Sequence, residues 1–562
     1  MDKFYKKYAP DPLKERKDYE FLCGEWDFCF ADENPDAPTF DKMITVPYSY
    51  ESKASGIGDA TPHTCVWYSR KFSVKKHSGA ILLHFEGVDY HSFVYINKTL
   101  VNEHIGGFTK FCIDITSYVK EGENEIEVKV FDSLDKSQLR GKQRAKNESY
   151  ECWYVQTTGI WKPVWIEYVG SVYVKDIEFK SDMTGNVTAK IQLSDKQRLS
   201  LEVTCPDGIS QCMGSATPSG EHIIDFKVVN MRLWNSESPD LYTVNITVHG
   251  ETPDKVSSYF GISDVSVRED GMYINGKKEY QQMVLDQGYW ADTMLSAPDD
   301  EALEKDIDLI KAMGFNGIRV HQKVENDVFY YLCDKKGIYV WGEIPSAYEF
   351  TTKMQSEFMR DAKAIFEQLK KHVSIVCWLL FNETWGISDI RANIAQQEFV
   401  GSVEQVFRGA DNRPVITNDG WYHLNSDVLS LHEYEQSPEV FEKEYKDKDY
   451  VVTDKVINTN KFGTAFANGY AYRGQPVFIS EYGGIAIDDK RGWGYGECAC
   501  DVAEYKRRLN SLVDIVMSIP YVSGACYTQF TDVQQETNGL LYADRTPKIP
   551  LSEIKDIFSK GK

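Results

Sequence analysis

The chain has 562 residues, 42% of them hydrophobic and 13% aromatic, which is too long for one hydrophobic core and apolar enough for about three. Its formal net charge of −22 argues against nucleic acid or an anionic membrane as partner, because both demand a basic face. Residues 1–8 hold no apolar leader and no later stretch approaches a membrane span, so a cytoplasmic protein without a secretory signal is expected.

Taken in chain order, residues 1–170 alternate apolar and polar positions between closely spaced turn residues. Ala80-Ile81-Leu82-Leu83-His84-Phe85 and Ser92-Phe93-Val94-Tyr95-Ile96 are examples, and Glu125-Ile126-Glu127-Val128-Lys129-Val130 is the strictest. A period of two without a helical stripe predicts an all-β sandwich, with Trp153, Trp161 and Trp165 in its interior. Residues 171–265 repeat the pattern on a smaller scale, from Ser171-Val172-Tyr173-Val174 to Tyr242-Thr243-Val244-Asn245-Ile246, and predict a second sandwich of immunoglobulin size.

Over residues 266–562 short apolar runs alternate with amphipathic stretches. The runs fall at 282–286, 317–321, 337–343, 374–383, 414–419, 427–434, 476–481 and 523–529. Helical periodicity marks 301–313, where Leu303, Ile307, Ile310 and Met313 share a stripe behind the start signal Pro298-Asp299-Asp300; it recurs at 357–372, 395–406 and 502–517. This alternation predicts a (β/α)₈ barrel with its active residues at the C-terminal strand ends. The weakly patterned stretch 436–474 after the sixth run reads as a functional loop or lid.

Two of the runs end in glutamate: Phe381-Asn382-Glu383 on the fourth and Ile479-Ser480-Glu481 on the seventh. An isolated strand-end glutamate usually serves a structural ion pair. Two that open onto one barrel mouth are the pair a retaining glycosidase needs, one attacking the anomeric carbon and one protonating the departing oxygen. Asn382 is placed to hold a sugar hydroxyl, and Trp385 to wall the pocket. Asp286 and Gln287, polar at the end of the first run, are candidates for sugar hydroxyls, as are the strand-end histidines His321 and His432. Trp493 and Tyr495, set among glycines at 492–496, predict an aromatic rim.

These motifs resemble glycoside hydrolase family 2, which holds β-galactosidases, β-glucuronidases and β-mannosidases. Asn382-Glu383 and Glu481-Tyr482-Gly483 resemble its acid/base and nucleophile strands. His104-Ile105-Gly106-Gly107-Phe108-Thr109 and Thr158-Gly159-Ile160-Trp161 resemble its N-terminal jelly roll; Pro239-Asp240-Leu241-Tyr242 through Phe260-Gly261 its immunoglobulin-like domain; Gly314-Phe315-Asn316-Gly317-Ile318-Arg319 its second barrel strand. The resemblance implies that Glu383 is the general acid/base and Glu481 the nucleophile. It further implies that Tyr434 hydrogen-bonds the nucleophile, that Arg319 lies beneath it, and that Tyr527 on strand eight is the aromatic platform for the sugar. The implied partner is a carbohydrate, and a homo-oligomer is left open.

The chain also departs from the family. Val320-His321-Gln322-Lys323 replaces the usual Ser-His-Tyr-Pro, and Asp286-Gln287 stands where an Arg-His pair is common. The Asn-x-Lys by which β-glucuronidases hold the substrate carboxylate is here Asn538-Gly539-Leu540. Without that cation a buried uronate is costly, unless Lys323 substitutes. The expected activity is therefore that of a retaining exo-β-glycosidase on a neutral, β-galactoside-like substrate. The alternatives are a β-glucuronidase with a non-standard carboxylate site and a non-catalytic carbohydrate-binding protein on the same scaffold. No cofactor and no essential metal are expected: Trp341-Gly342-Glu343-Ile344-Pro345 has no nearby histidine, and Cys498 and Cys500 are a lone close pair.

Overall fold

The computed structural model describes residue 5 and residues 7–36, 38–215, 217–453, 463–487 and 492–560. The N-terminal part is a β-sandwich. A six-stranded sheet, in spatial order Lys42–Val46, Gly24–Phe30, Cys65–Val74, Gly122–Phe131, His91–Ile96 and Thr99–Ile105, faces a four-stranded one of Tyr19–Phe21, Val164–Tyr168, Ile81–Phe85 and Phe111–Asp114. The alternation at 125–130 gives one face to Ile126, Val128 and Val130, all fully buried with Trp26, Tyr68 and Ile166. A second sandwich follows, pairing Val174–Ser181, Asn186–Gln197 and Ser219–Lys227 against Ser210–Gly214, Leu199–Thr204, Tyr242–Val248 and Asp254–Phe260 around Ile191, Val203 and Val244.

The C-terminal part is a barrel of eight parallel strands: β1 (Gln281–Asp286), β2 (Gly317–Val320), β3 (Tyr339–Glu343), β4 (Ile375–Leu379), β5 (Val415–Ile416), β6 (Leu429–Glu433), β7 (Val477–Gly483) and β8 (Val522–Thr528). β8 pairs with β1, and the remaining seam between β5 and β6 is bridged at Gly420 and Leu431. Eight helices are described: α1 (Asp300–Ala312), α2 (Asp327–Lys336), α3 (Thr352–Leu369), α4 (Ile394–Arg408), α5 (Pro438–Tyr445), α6 (Lys448–Val452), α7 (Val502–Ser518) and α8 (Leu551–Phe558). The α1 signal is sound: Asp299 accepts from the Ala302 amide at 2.8 Å, and Leu303, Ile307 and Ile310 are buried beneath it. α3 begins ahead of its expected start because Thr351 caps the Met354 amide.

Three expectations are corrected. The fifth run shrinks to a two-residue strand, since Thr417 bonds Ser426 in the following loop and Asn418 and Asp419 bond residues 381–384, past the end of β4. No helix separates β5 from β6, which are joined by residues 417–428. The 436–474 stretch contains α5 and α6 rather than bare loop, while its residues 454–462 lie outside the described residues. A three-stranded sheet (Val265–Arg268, Gly271–Ile274, Lys277–Glu279) plugs the barrel floor, placing Met272 and Ile274 in one cluster with Met283, Leu285, Trp341 and Phe478. No helix among the described residues is long and apolar enough to cross a membrane.

Candidate active site

Glu383 and Glu481 meet at the C-terminal mouth of the barrel. Beyond β4 the backbone turns through two left-handed residues, Glu383 (φ 49°) and Thr384 (φ 62°). Both are non-glycine, and such outliers persist only where surrounding bonds hold them. Here the Glu383 amide donates to Asp419 O at 3.1 Å, the Thr384 amide to Asn418 Oδ1 at 3.0 Å and the Trp385 amide to Asn382 O at 2.8 Å. On β7 a bulge does the aiming. Leu431 pairs with Ile479 and His432 with Glu481, so Ser480 is left over and both Ser480 and Glu481 can face inward. Ser480 Oγ donates to Asp419 Oδ1 at 2.8 Å.

Beneath the pair lies a buried charge network. Arg319, fully buried, holds Glu481 Oε1 at 2.8 Å, Glu343 Oε2 at 2.8 Å, Asp419 Oδ2 at 2.6 Å and Asn382 Oδ1 at 2.7 Å. His432 joins Glu383 Oε1 (2.7 Å) to Asp419 Oδ2 (2.8 Å), with Glu481 Oε1 at 3.4 Å. Burial opposes a charged imidazole, but Glu481 and Asp419, helped by the hydrogen bonds to Asp419 and Glu383, push His432 up to about 10. Burial likewise raises Glu481, and the cations His432 and Arg319, with His321 and the Tyr434 hydroxyl, outweigh it and hold its carboxyl below the ordinary range. Glu343 falls to about 2, its burial outweighed by Arg319 and His321. Tyr434 OH donates to Glu481 Oε2 and lies 3.3 Å from Thr528 Oγ1, its ring flat on Tyr495 at 3.4 Å. Glu383, His432 and Glu481 each bring one potential ligand atom within 4.8 Å of the others. With both its nitrogens donating to carboxylates, His432 acts there as a cation rather than as a free ligand.

The remaining residues singled out in the sequence divide into three groups. Asn382 reaches the site, its Oδ1 on Arg319 and its Nδ2 unbonded, while Gln287 is buried with an unbonded Oε1 and makes no contact among the described residues that ties it to the two glutamates. His321 rests its Nδ1 on Glu343 (3.1 Å) with its ring 6.0 Å from Trp385, and Trp385 walls the mouth against Trp153 (5.6 Å) and Tyr348 (5.8 Å). Trp493 forms the rim, its Nε1 on Glu151 O at 3.0 Å and its ring 5.4 Å from Tyr495.

Arg319 and His432 belong to a second group. Each is fully buried with its polar atoms engaged by carboxylates, so each positions the glutamates and neither is free to bind sugar.

Asp286 and Tyr527 are corrections, because strand parity turns both outward. Leu285 and Cys526 take the inward positions. Asp286 instead caps the Gly288 amide, pushed up to about 6 by burial and by Asp306. The Tyr527 ring packs on Phe558 of α8 and on Tyr482. Lys323 is consumed by Glu325, Gly288 O and Leu295 O. Asn538 is tied to Gln529 and Glu536, and Leu540 is in the apolar core. None of the three tryptophans expected in the sandwich interior is part of its core: Trp161 is buried in the cluster shared with the barrel, Trp165 is buried on the opposite face of its strand against His84 (4.7 Å), and Trp153 stands in the pocket wall.

The sequence reading missed Asp419 and a group delivered by the N-terminal sandwich. The connection 132–158 leaves the sandwich and brings Lys142, Cys152 and Tyr154 to the barrel mouth. Tyr154 OH donates to Glu536 Oε2, and Lys142 Nζ lies 5.4 Å from the Trp385 ring centroid. Lys142 feels Glu536 and Glu481, and Cys152 feels Lys142, Glu536 and Glu383, so the group adjoins Glu383 and Glu481. The available signal was a charge at every second position from Arg140 to Glu148, followed by Tyr150, Trp153 and Tyr154.

Comparison with known proteins now gives these features a context. The model for the sugar binding domain of glycosyl hydrolases family 2 matches residues 19–167, a second model of the same family matches 172–262, and its TIM barrel domain model matches 265–561. A β-galactosidase of Thermoanaerobacter pseudethanolicus is 29% identical over 50% of the chain and 39% of that protein. A β-galactosidase of Clostridium acetobutylicum is 23% identical over 85% and 53% respectively, so the chain spans about half the length of such relatives, or less. Among solved structures, a β-glucuronidase of an uncultured Clostridium sp. superposes with a TM-score of 0.78 over 99% of the chain and 100% of its own, at 21% identity, a likeness of fold.

Proposed function

Since the chain belongs to glycoside hydrolase family 2, we propose that it is a retaining exo-β-glycosidase acting on a terminal neutral sugar, β-galactoside-like, with Glu481 as nucleophile and Glu383 as acid/base. The observation that carries this reading is the approach of the two carboxylates, whose oxygens come within 4.8 Å. Retaining enzymes hold theirs about 5–5.5 Å apart, and inverting ones about 6.5–9.5 Å apart to admit a water.

The rest of the site supports the division of labour. Arg319 occupies one oxygen of Glu481 and the Tyr434 hydroxyl the other, which keeps the carboxylate ionised and fixes the oxygen that attacks the anomeric carbon. Glu383, held from below by His432 through Oε1, has Oε2 left to pass a proton to the leaving oxygen. In the second half-reaction the same carboxylate takes a proton from water, which releases the sugar from Glu481. Asn382 Nδ2, unbonded beside the pair, is placed to donate to a sugar hydroxyl next to the reacting carbon.

A panel of 4-nitrophenyl glycosides tests the substrate; cleavage of the glucuronide alone overturns the neutral preference in favour of a β-glucuronidase. Glu481→Gln should lower kcat by at least about 10⁴-fold. Azide should restore turnover to Glu481→Gly and yield a glycosyl azide of inverted configuration. A normal rate in Glu481→Gln sinks the mechanism.

A further inference from the structure

The group brought in by the sandwich has a chemistry of its own. Lys142 is 5% exposed, yet its ammonium forms no ion pair among the described residues. A lysine carries three donors, and here none of them meets a carboxylate. Its neighbours give it little: a contact with the Cys152 thiol and the faces of Trp385 (5.4 Å) and Tyr154 (5.7 Å). Tyr154 links it to Glu536, buried on the connection after β8. One of its oxygens accepts from Tyr154 OH, the other from Asn538 Nδ2 at 3.2 Å, and each keeps a lone pair. The lysine thus lies over the ring whose hydroxyl holds the glutamate, without an ion pair between the two, and the charge of Glu481 reaches it as well.

A donor and an acceptor separated in this way match a group that both accepts and donates. A hydroxyl does so; a carboxylate accepts only and meets the charge of Glu536. We propose that Lys142 and Glu536 together read one hydroxyl of the sugar bound against Glu481, Lys142 donating to its oxygen and Glu536 accepting its proton, and that the couple thereby selects neutral glycosides over uronides. The inference rests on the reading above that Glu383 and Glu481 cleave a β-glycoside. It makes the sandwich part of the specificity site, and it assigns selectivity to two residues on different domains.

The test compares wild type, Lys142→Met and Glu536→Gln on the neutral 4-nitrophenyl glycoside that wild type cleaves best and on its monodeoxy analogues. Each variant should lose about 10- to 150-fold in kcat/KM on the parent, the range for a hydrogen bond to a charged group. Both losses should vanish on one and the same deoxy analogue, and Lys142→Arg should recover part of the first. A penalty spread evenly over all analogues overturns the proposal, because a merely structural role has that signature. So does wild-type preference for a glucuronide or galacturonide that Lys142→Met abolishes. If wild type cleaves no glycoside, the activity reading fails separately. Calorimetric binding of the free sugars and their deoxy forms then decides this one by the same pattern, and melting curves identify any variant that has not folded.

Discussion

His432 shows how a residue of ordinary appearance acquires a role from its surroundings. Its imidazole is wedged between Asp419 and Glu383, with Glu481 within reach, and it keeps its proton up to about pH 10. In the unfolded chain it titrates near 6.5. Because the folded value is the higher one, its stabilisation is complete below about pH 6.5 and drains away as pH rises to about 10. The gap in Tm between wild type and His432→Asn should therefore be widest at pH 6 and narrow steadily toward pH 10. A gap that grows with pH refutes the charged assignment. The same substitution should raise the pH at which kcat/KM begins to climb, since Glu481 loses one of the cations that lower it. None of this was legible beforehand, because burial on both faces erases the period of two that would tell inward from outward side chains. Tyr527 and Asp286 were misplaced for that reason, and a bulge at Ser480, invisible in an apolar run, is what turns Glu481 inward. Glu383 and Glu481 were legible because each closes a run with a charge.

At the scale of elements, the consequential piece is the connection 132–158. It is seated on the barrel by Arg140 and Gly141, whose amides donate to Ser346 O at 2.9 and 3.1 Å, and by Tyr348 OH on Gly141 O. Gly141 adopts φ +58°, and a Cβ there would collide with Gln322 O. Gly141→Ala thus pays a left-handed penalty of about 1–2 kcal/mol and must also lift off the barrel. Lys142 moves with it, while Glu383 and Glu481, carried by β4 and β7, stay in place. KM for a neutral glycoside should rise severalfold more than kcat falls. Gly208→Ala, strained alike at φ +85° with open space around it, should leave both parameters unchanged. Equal KM values in the two variants exclude this seat as what positions Lys142. Periodicity gave away the barrel strands and α1, α3, α4 and α7, because each presents a stripe or an uninterrupted run. The charges at 140–148 mark 132–158 as unusual, but its reach into another domain was not legible, since it depends on tertiary contacts of irregular backbone.

On the scale of the whole molecule, the two sandwiches are attached to the barrel in different ways. Phe108, Leu139, Tyr154 and Trp161 of the first belong to the same apolar cluster as Val320, Phe329 and Ile344 of the barrel, so these two parts share a core. A polar seam reinforces it: Lys162 Nζ donates to Glu325 O at 2.9 Å, the Asp327 amide donates to Glu86 Oε1 at 2.6 Å, and Lys110 pairs with Asp327. The second sandwich has its main core apart, with Ile191, Val203 and Val244 at its centre, and reaches the barrel floor through Trp234, which clusters with Met283, Leu285 and Trp341. Parts that share a core unfold together, and a part with a separate core is able to unfold alone. Trp161 is fully buried and donates to Gly107 O at 2.8 Å, so Trp161→Ala should cost about 3–5 kcal/mol, and the loss should appear in the barrel as well as in the sandwich. The temperature at which activity is lost should fall with the calorimetric transition of the joined pair. Val244→Ala, a cavity in the other core, should lower a distinct transition while leaving the temperature of activity loss where it was. If Trp161→Ala shifted a transition of its own and the barrel kept its activity to the wild-type temperature, sandwich and barrel would be separate folding units, and Lys142 would reach the sugar from a body free to move away from it.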